Sequence, residues 1–134
     1  MILILVNLLI LMLIVLNRRK MYTRYEIIIN EKPIGLFAGL PFAINKHLAD
    51  DLMEPFNEKL NIPDFYYLKG KNGKKNIYAY FTDLGLKRFE KEIKEILFVL
   101  ENNNQKVLIT TQSKVGTARL IYEDKYQVLI KKKK

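Results

Sequence analysis

The stretch that decides the fold is TDLGLKRFEKEIKEILFVL, residues 82–100. Thr82 suits an N-cap, and Asp83 suits the positive end of a helix. The apolar residues recur every three or four positions and therefore fall along one side of that helix. They are Leu86, Phe89, Ile93, Ile96, Leu97 and Leu100. The stretch predicts one amphipathic helix, ended by the three asparagines at 102–104.

The other side of this helix predicts a solvated face. Charges of opposite sign stand four residues apart, a spacing that brings side chains into contact on a helix surface. The pairs are Arg88 with Glu92, Glu90 with Lys94, and Lys91 with Glu95. The apolar side must then be covered by a sheet or by another helix.

A second helix is predicted after Asn45, which suits an N-cap. Leucine or phenylalanine recurs every fourth residue, at Leu48, Leu52, Phe56 and Leu60. Pro55 lacks an N–H, so a kink or a fresh helical turn is expected there. Residues 61–63, with Pro63, end the element.

The remaining segments have the composition of strands. Residues 22–29, 106–111, 117–122 and 125–130 are rich in β-branched and aromatic residues. Residues 34–40 are expected to return as the second strand of a hairpin after a turn at 30–33. Residues 64–68 and 76–81 flank Asn72-Gly73, a strong hairpin signal because both central positions of the favoured turn need a positive φ.

These elements predict an α+β fold over residues 22–130, in the order ββαββαβββ. Short hairpin loops favour an antiparallel sheet, and two apolar helical stripes favour two helices on one face, which gives two layers. We expect the other face of the sheet to remain available to a partner. The seven Phe and eight Tyr of the chain predict an aromatic-rich core.

Residues 1–17 predict a single membrane-spanning anchor. Residues 1–16 are uncharged, with Asn7 as their one polar side chain, and a helix of that composition is apolar on every face. Small residues suited to a signal-peptide cleavage site do not follow it, so cleavage is not expected. A buried helix of a soluble domain is the alternative, and a true start at Met21 would leave a soluble cytoplasmic protein.

Positive charge is concentrated at the two ends of this body. Arg18, Arg19 and Lys20 form a basic join, residues 18–21, which predicts a cytoplasmic domain below a bacterial-type cell membrane and contact with lipid headgroups. Residues 131–134 form a basic tail that we interpret as solvated. The chain has a net charge of +9, but its body without these seven cations carries only +2. This distribution argues against nucleic acid as the partner.

The candidate binding residues lie around the predicted hairpin, residues 66–80. Its tyrosines offer large contact areas at low entropic cost, and its lysines add positive charge. They are Tyr66, Tyr67, Tyr78, Tyr80, Lys71 and Lys74. Half-buried strand packing is the simpler interpretation of the tyrosines, and a solvated turn is that of the lysines.

No catalytic residue, metal site or cofactor is predicted. The chain contains no Cys, which excludes disulfides and thiolate metal sites. His47 with Asp50 or Asp51 could serve a small hydrolase-like enzyme, provided that the imidazole lies in a pocket. The leading hypothesis is a non-catalytic, membrane-anchored module that binds another protein, of the immunity, inhibitor or assembly-factor type. The enzyme and a weak nucleic-acid-binding domain that uses the hairpin are the alternatives.

Overall fold

The computed structural model describes residues 5–9, 20–63, 77–116 and 119–132. In these ranges four helices and six strands follow Lys20, and residues 5–9 are also helical. The strands are β1 (Tyr22–Ile29), β2 (Lys32–Gly35), β3 (Ile77–Phe81), β4 (Val107–Gln112), β5 (Leu120–Glu123) and β6 (Gln127–Lys131). The helices are α1 (Leu36–Ala43), α2 (Lys46–Lys59), α3 (Asp83–Arg88) and α4 (Glu90–Asn102).

The strands form one six-stranded antiparallel sheet, which confirms the predicted α+β class. The described residues have the order ββααβααβββ with four helices after Lys20, instead of the predicted ββαββαβββ with two. β1 pairs with three other strands, and one of its edges pairs with β4 over six residues. Its other edge is shared, because β2 pairs with its second half whereas β3 touches it only at Thr23. β3 also pairs with β6, and β6 pairs with β5.

The predicted second strand over residues 34–40 is wrong beyond Gly35, where α1 begins. The segment is an apolar run, and such a run fits a buried strand and a buried helix equally well. As a helix it places Leu36, Gly39 and Leu40 on one buried side against β1. A β-carbon at Gly39 would lie 3.5 Å from the Ile27 side chain, so α1 packs closely on the sheet.

The predicted helix of residues 82–100 forms, but it bends at Phe89 into α3 and α4. Its buried stripe is confirmed, because Phe89, Ile93, Ile96 and Leu100 are buried. Among the predicted charge pairs, Glu90 and Lys94 lie 3.0 Å apart. α3 contacts the turn before β6 through Gly85, whereas α4 packs on the core through its buried apolar residues. The bend allows both contacts.

The second predicted helix is α2, and Asn45 caps it by accepting hydrogen bonds from two backbone N–H groups. Its buried side differs from the prediction, because Ala49 is fully buried and Leu48 is exposed. The helix also continues through Pro55 without ending there. Leu52 and Phe56 lie on the core side as predicted.

The core between the helices and the sheet is rich in aromatic rings, as predicted. Phe56 lies at its centre, with its ring centroid 4.9 Å from those of Phe37 and Phe89 and 6.2 Å from that of Phe81. Ile27 of β1 and buried apolar residues of α1, α2 and α4 complete the cluster.

The other face of the sheet is not open along β3 and β6, contrary to the prediction. Tyr80, Val128 and Ile130 are buried there and form a second, smaller cluster with Val115 packed against it. The alternation of side chains along these strands makes one set face the helices and the other set face this cluster. This part of the sheet face is therefore closed to a partner.

Several predicted features fall on residues outside the described ranges. They are the strand at 64–68, the Asn72-Gly73 turn, the join at Arg18 and Arg19, and most of the anchor. Within the part of the chain that the structure covers, no helix is long and apolar enough to cross a membrane. The helical residues 5–9 expose their apolar side chains, with Leu5 63% and Leu9 60% exposed.

Candidate functional site

The predicted site residues are divided by the structure. Tyr78 and Tyr80 lie on β3 and point to the face opposite the helices, with Tyr80 buried and Tyr78 half-buried. Tyr80 accepts a hydrogen bond from Gln112, so the interpretation as strand packing holds for it. Tyr66, Tyr67, Lys71 and Lys74 lie outside the described residues, and Lys20 is exposed next to β1.

A cleft opens between β2 and β3, the two strands that pair with the same edge of β1. β2 ends at Gly35 and turns into α1, whereas β3 pairs with β1 only through Thr23 and Phe81. Between these two neighbours the sheet is interrupted beside Arg24 and Tyr25. The resulting cleft has a volume of about 520 Å³, which is within the range of ligand pockets.

Arg24 spans this gap. Its side chain is only 7% exposed, and one terminal nitrogen donates a hydrogen bond to the carbonyl oxygen of Ala79 in β3 at 3.3 Å. The other lies 3.4 Å from a carboxylate oxygen of Glu26. A β-carbon at Gly35 would come within 3.2 Å of the guanidinium, so the absence of a side chain there makes room for it.

The guanidinium has unused hydrogen-bonding capacity. Its Nε is buried and has no hydrogen-bond partner among the described residues. An unpaired buried donor costs free energy, and the cost is greater when the group is charged. The single carboxylate of Glu26, held at one long contact, leaves room for a second acceptor. The buried Nε is closed to a ligand, so an acceptor from the cleft would have to reach the terminal nitrogens of Arg24, which lines the cleft.

A second cation, Lys132, lines the same cleft. The Tyr78 ring stands beside both cations, with its centroid 4.4 Å from Arg24 Cζ and 5.1 Å from Lys132 Nζ. Burial lowers the pKa of the Lys132 ammonium below its usual 10.5, the charge of Arg24 lowers it further, and Glu26 raises it. Two cations and one carboxylate leave this end of the cleft with a net positive charge.

The rest of the cleft is largely apolar. Among the described residues its walls come from β2, α1 and β3, and include Ile34, Phe37, Phe42, Ile77 and Phe81. Phe42 is 77% exposed and stands at the rim. Apolar walls with a few convergent polar groups are typical of binding pockets. The arrangement can bind a group that carries a carboxylate next to apolar side chains.

Sequence reasoning missed this site because it gave Arg24 no role beyond its place in the predicted strand of residues 22–29. The available signal was local: an arginine within TyrThrArgTyrGluIle, a strand segment in which Glu26 stands two positions away on the same face. That pattern predicts a paired charge on a sheet, but not the cleft.

His47 does not meet the requirement of the enzyme hypothesis. The residue is exposed at the start of α2, and so are Asp50 and Asp51. None of them lines the cleft or the smaller cavity of about 70 Å³ beside Phe56. In the described part of the chain, no group of acidic residues and histidine is suited to holding a metal ion.

Comparison with known proteins does not indicate a function. The chain matches no model of a protein family, and searches of curated proteins and of solved structures find no match either. Any assignment of function therefore depends on the cleft and its charges.

The pKa of Lys132 should respond in opposite directions to changes in its two charged neighbours. Arg24→Met removes a nearby positive charge and should raise the Lys132 pKa towards 10.5, although burial still holds it below. Glu26→Gln removes the compensating carboxylate and should lower the pKa further. An NMR titration of the lysine Cε resonances measures both shifts.

Glu95→Gln provides the matched control for this titration. Glu95 is an exposed residue of α4 and does not line the cleft, so its replacement should leave the pKa of Lys132 unchanged. Shifts of the same sign in Arg24→Met and Glu26→Gln would contradict the described arrangement of charges.

Proposed function

We propose that the protein is a membrane-anchored, non-catalytic module that holds a segment of another protein in the cleft between α1 and β3. The observation that carries the proposal is the pair of cations Arg24 and Lys132 at one end of an apolar cleft, where Glu26 is held at a single 3.4 Å contact with Arg24. The occupant is a peptide segment with a carboxylate, from Asp, Glu or a chain terminus, flanked by apolar side chains.

Electrostatics and shape support this occupant together. Lys132 and Arg24 favour an anion, and a charge-assisted hydrogen bond to a buried guanidinium is stronger than one between neutral groups. Phe42 at the rim and Phe37 inside offer apolar contact to the neighbouring side chains. Aromatic anchors of this kind carry much of the binding energy of protein interfaces.

The membrane anchor is supported by composition and by exposure. Residues 1–16 are uncharged and are followed by Arg18, Arg19 and Lys20, as expected for a span with a cytoplasmic domain. Leu5, Val6, Leu8 and Leu9 are exposed rather than packed in the protein core. Exposed aliphatic side chains in a row favour a lipid environment over water.

Site-specific photo-cross-linking of the full-length chain in its own cells tests the binding function. A photoreactive phenylalanine analogue replaces Phe42 at the rim of the cleft, or Phe98, which is 64% exposed on α4 and does not line the cleft. We expect a discrete polypeptide adduct at position 42 only. Lys132→Met should reduce its yield about tenfold, since a charge-assisted hydrogen bond contributes roughly 1.5–3 kcal/mol.

Two results would contradict the proposal. Identical adducts at positions 42 and 98 would show surface collisions, and an adduct with lipid alone at position 42 would show that the cleft binds lipid instead of protein. Lys87→Met is the charge control, because Lys87 is exposed on α3 and does not line the cleft.

The anchor is tested separately. Alkaline carbonate extraction of native membranes, with mass spectrometry of the N-terminus, should leave the chain in the membrane fraction with residues 1–17 intact. A chain that begins at Met21 and is released by carbonate would remove the anchor from the proposal.

A further inference from the structure

β4 forms an edge of the sheet with no strand on its outer side among the described residues. It pairs with β1 without a register shift, from Gln112 opposite Tyr22 to Val107 opposite Ile27. Residues 108–111 are all exposed, with Leu108 39% and Ile109 59% exposed. An exposed and regular edge is a template for pairing with another strand.

The register shows which backbone groups point outward. The Ile28 N–H donates to the Lys106 carbonyl at 2.9 Å, so these two residues form a hydrogen-bonded pair. In an antiparallel ladder such pairs alternate, so the backbone groups of Leu108 and Thr110 face β1. Those of Val107, Ile109 and Thr111 therefore face away from the sheet and lack ladder partners in the described chain.

The edge carries none of the features that usually block pairing. Between Val107 and Gln112 there is no proline and no charged residue, and the ladder has no bulge. Natural edge strands generally include at least one of these devices. β5 offers a contrast, because its pairing with β6 shifts between Leu120 and Tyr122.

We propose that β4 pairs with β4 of a second copy of this chain, antiparallel about a two-fold axis through Ile109. Outward-facing groups must meet outward-facing groups, so only registers that pair odd-numbered residues of β4 with each other are possible. With Ile109 opposite itself, Val107 meets Thr111 and Leu108 meets Thr110. Five residues of each strand are then paired.

Charge favours the register with its axis through Ile109 over the register with its axis through Thr110. Lys106 and Lys114 flank the edge, and a two-fold axis through Thr110 would place these like charges directly opposite each other. Like charges at facing positions destabilise a sheet. With the axis through Ile109, Lys106 faces the neutral residue Gln112 instead. The edge is thus self-complementary in hydrogen bonding, in apolar contact and in charge.

Cysteine cross-linking of the full-length chain tests this register directly, because the chain contains no native Cys. The two Ile109 Cα atoms of a hydrogen-bonded antiparallel pair lie about 5.5 Å apart, a distance that a disulfide can bridge. Ile109→Cys should therefore give a disulfide-linked dimer under mild oxidation. A pair of strand edges buries less than a standard interface of roughly 1,600 Å², and cross-linking also traps short-lived pairs.

Thr111→Cys is the matched control, since Thr111 is exposed on the same strand and its side chain points to the same face. In the proposed register the two Thr111 residues are displaced by four positions, roughly 13 Å along the strands, beyond the reach of a disulfide. We expect about tenfold less linked dimer than for Ile109→Cys. A mixture of the Val107→Cys and Thr111→Cys variants should again give the disulfide-linked dimer, because Val107 of one copy lies opposite Thr111 of the other.

Two results would overturn the proposal. Equal cross-linking of Ile109→Cys and Thr111→Cys would show random collision, and absence of a linked dimer from Ile109→Cys would show that the edge does not meet its copy. Neither result bears on the cleft, because β4 does not line it. Far-UV circular dichroism of each variant verifies that the fold is retained.

Discussion

Phe56→Ala should reduce the free energy of unfolding by about 4 kcal/mol, the usual cost of truncating a fully buried phenylalanine. Phe56 is 2% exposed, and its ring contacts rings from α1, from β3 and from the bend between α3 and α4. The loss comes from the removed apolar contacts and from the space left behind. The cavity of about 70 Å³ that already adjoins Phe56 would enlarge instead of collapsing.

Chemical denaturation of the full-length chain in mild detergent, followed by circular dichroism, measures this loss. Phe98→Ala is the matched control, because Phe98 is 64% exposed on α4; its change should stay within about 0.5 kcal/mol. An equal cost for the two substitutions would show that the ring cluster does not form the core. A domain of this size has only about 5–15 kcal/mol in total, so the first variant loses a large share.

Gly85→Ala should destabilise the protein by about 3 kcal/mol, although the change adds only one methyl group. A β-carbon at Gly85 would lie 2.1 Å from the carbonyl oxygen of Tyr126 and 3.0 Å from its carbon. These are backbone atoms, so relief requires α3 to move away from the turn before β6. That movement would break the hydrogen bond from the Thr82 N–H to the same carbonyl, which measures 3.0 Å.

Gly39→Ala supplies the opposite case with the same chemical change. Gly39 lies within α1, and an added β-carbon would meet the Ile27 side chain at an ordinary 3.5 Å. Alanine favours a helix over glycine by about 1 kcal/mol, so this variant should be as stable as the parent or more stable. Denaturation midpoints of the two variants on either side of the parent value are expected, and a shift in the same direction would contradict the described packing.

The elements with a clear period could be predicted from the sequence. The stripe from Phe89 to Leu100 repeats at the helical spacing, and β1, β4 and β6 have strand composition, so their positions were predicted within a few residues. Asn45 was recognised as a cap from its residue type and position. In each case the determining interaction is local or depends only on which side is apolar.

The features that escaped prediction depend on contacts between distant segments. α1 has no polar residue to mark a period, and its buried side, Leu36, Gly39 and Leu40, is recognised only from its packing against β1. The cleft exists because β3 meets β1 at Thr23 alone, and Arg24 fills the resulting gap up to Ala79. No local pattern around Arg24 reports where β3 will lie. Burial of Val128 and Ile130 likewise closes the sheet face along β6, which was predicted to be open.

The pairing of β1 with β4, a strand distant in sequence, affects how the chain folds during its synthesis. β1 is synthesised before the other described strands, but its partner β4 comes much later, because Tyr22 lies opposite Gln112. Pairings between segments so remote in sequence slow folding, and unpaired strands are prone to aggregate in the meantime. Residues 36–106 are therefore synthesised while one edge of β1 has no partner, and the early β1–β2 hairpin covers only part of the other edge.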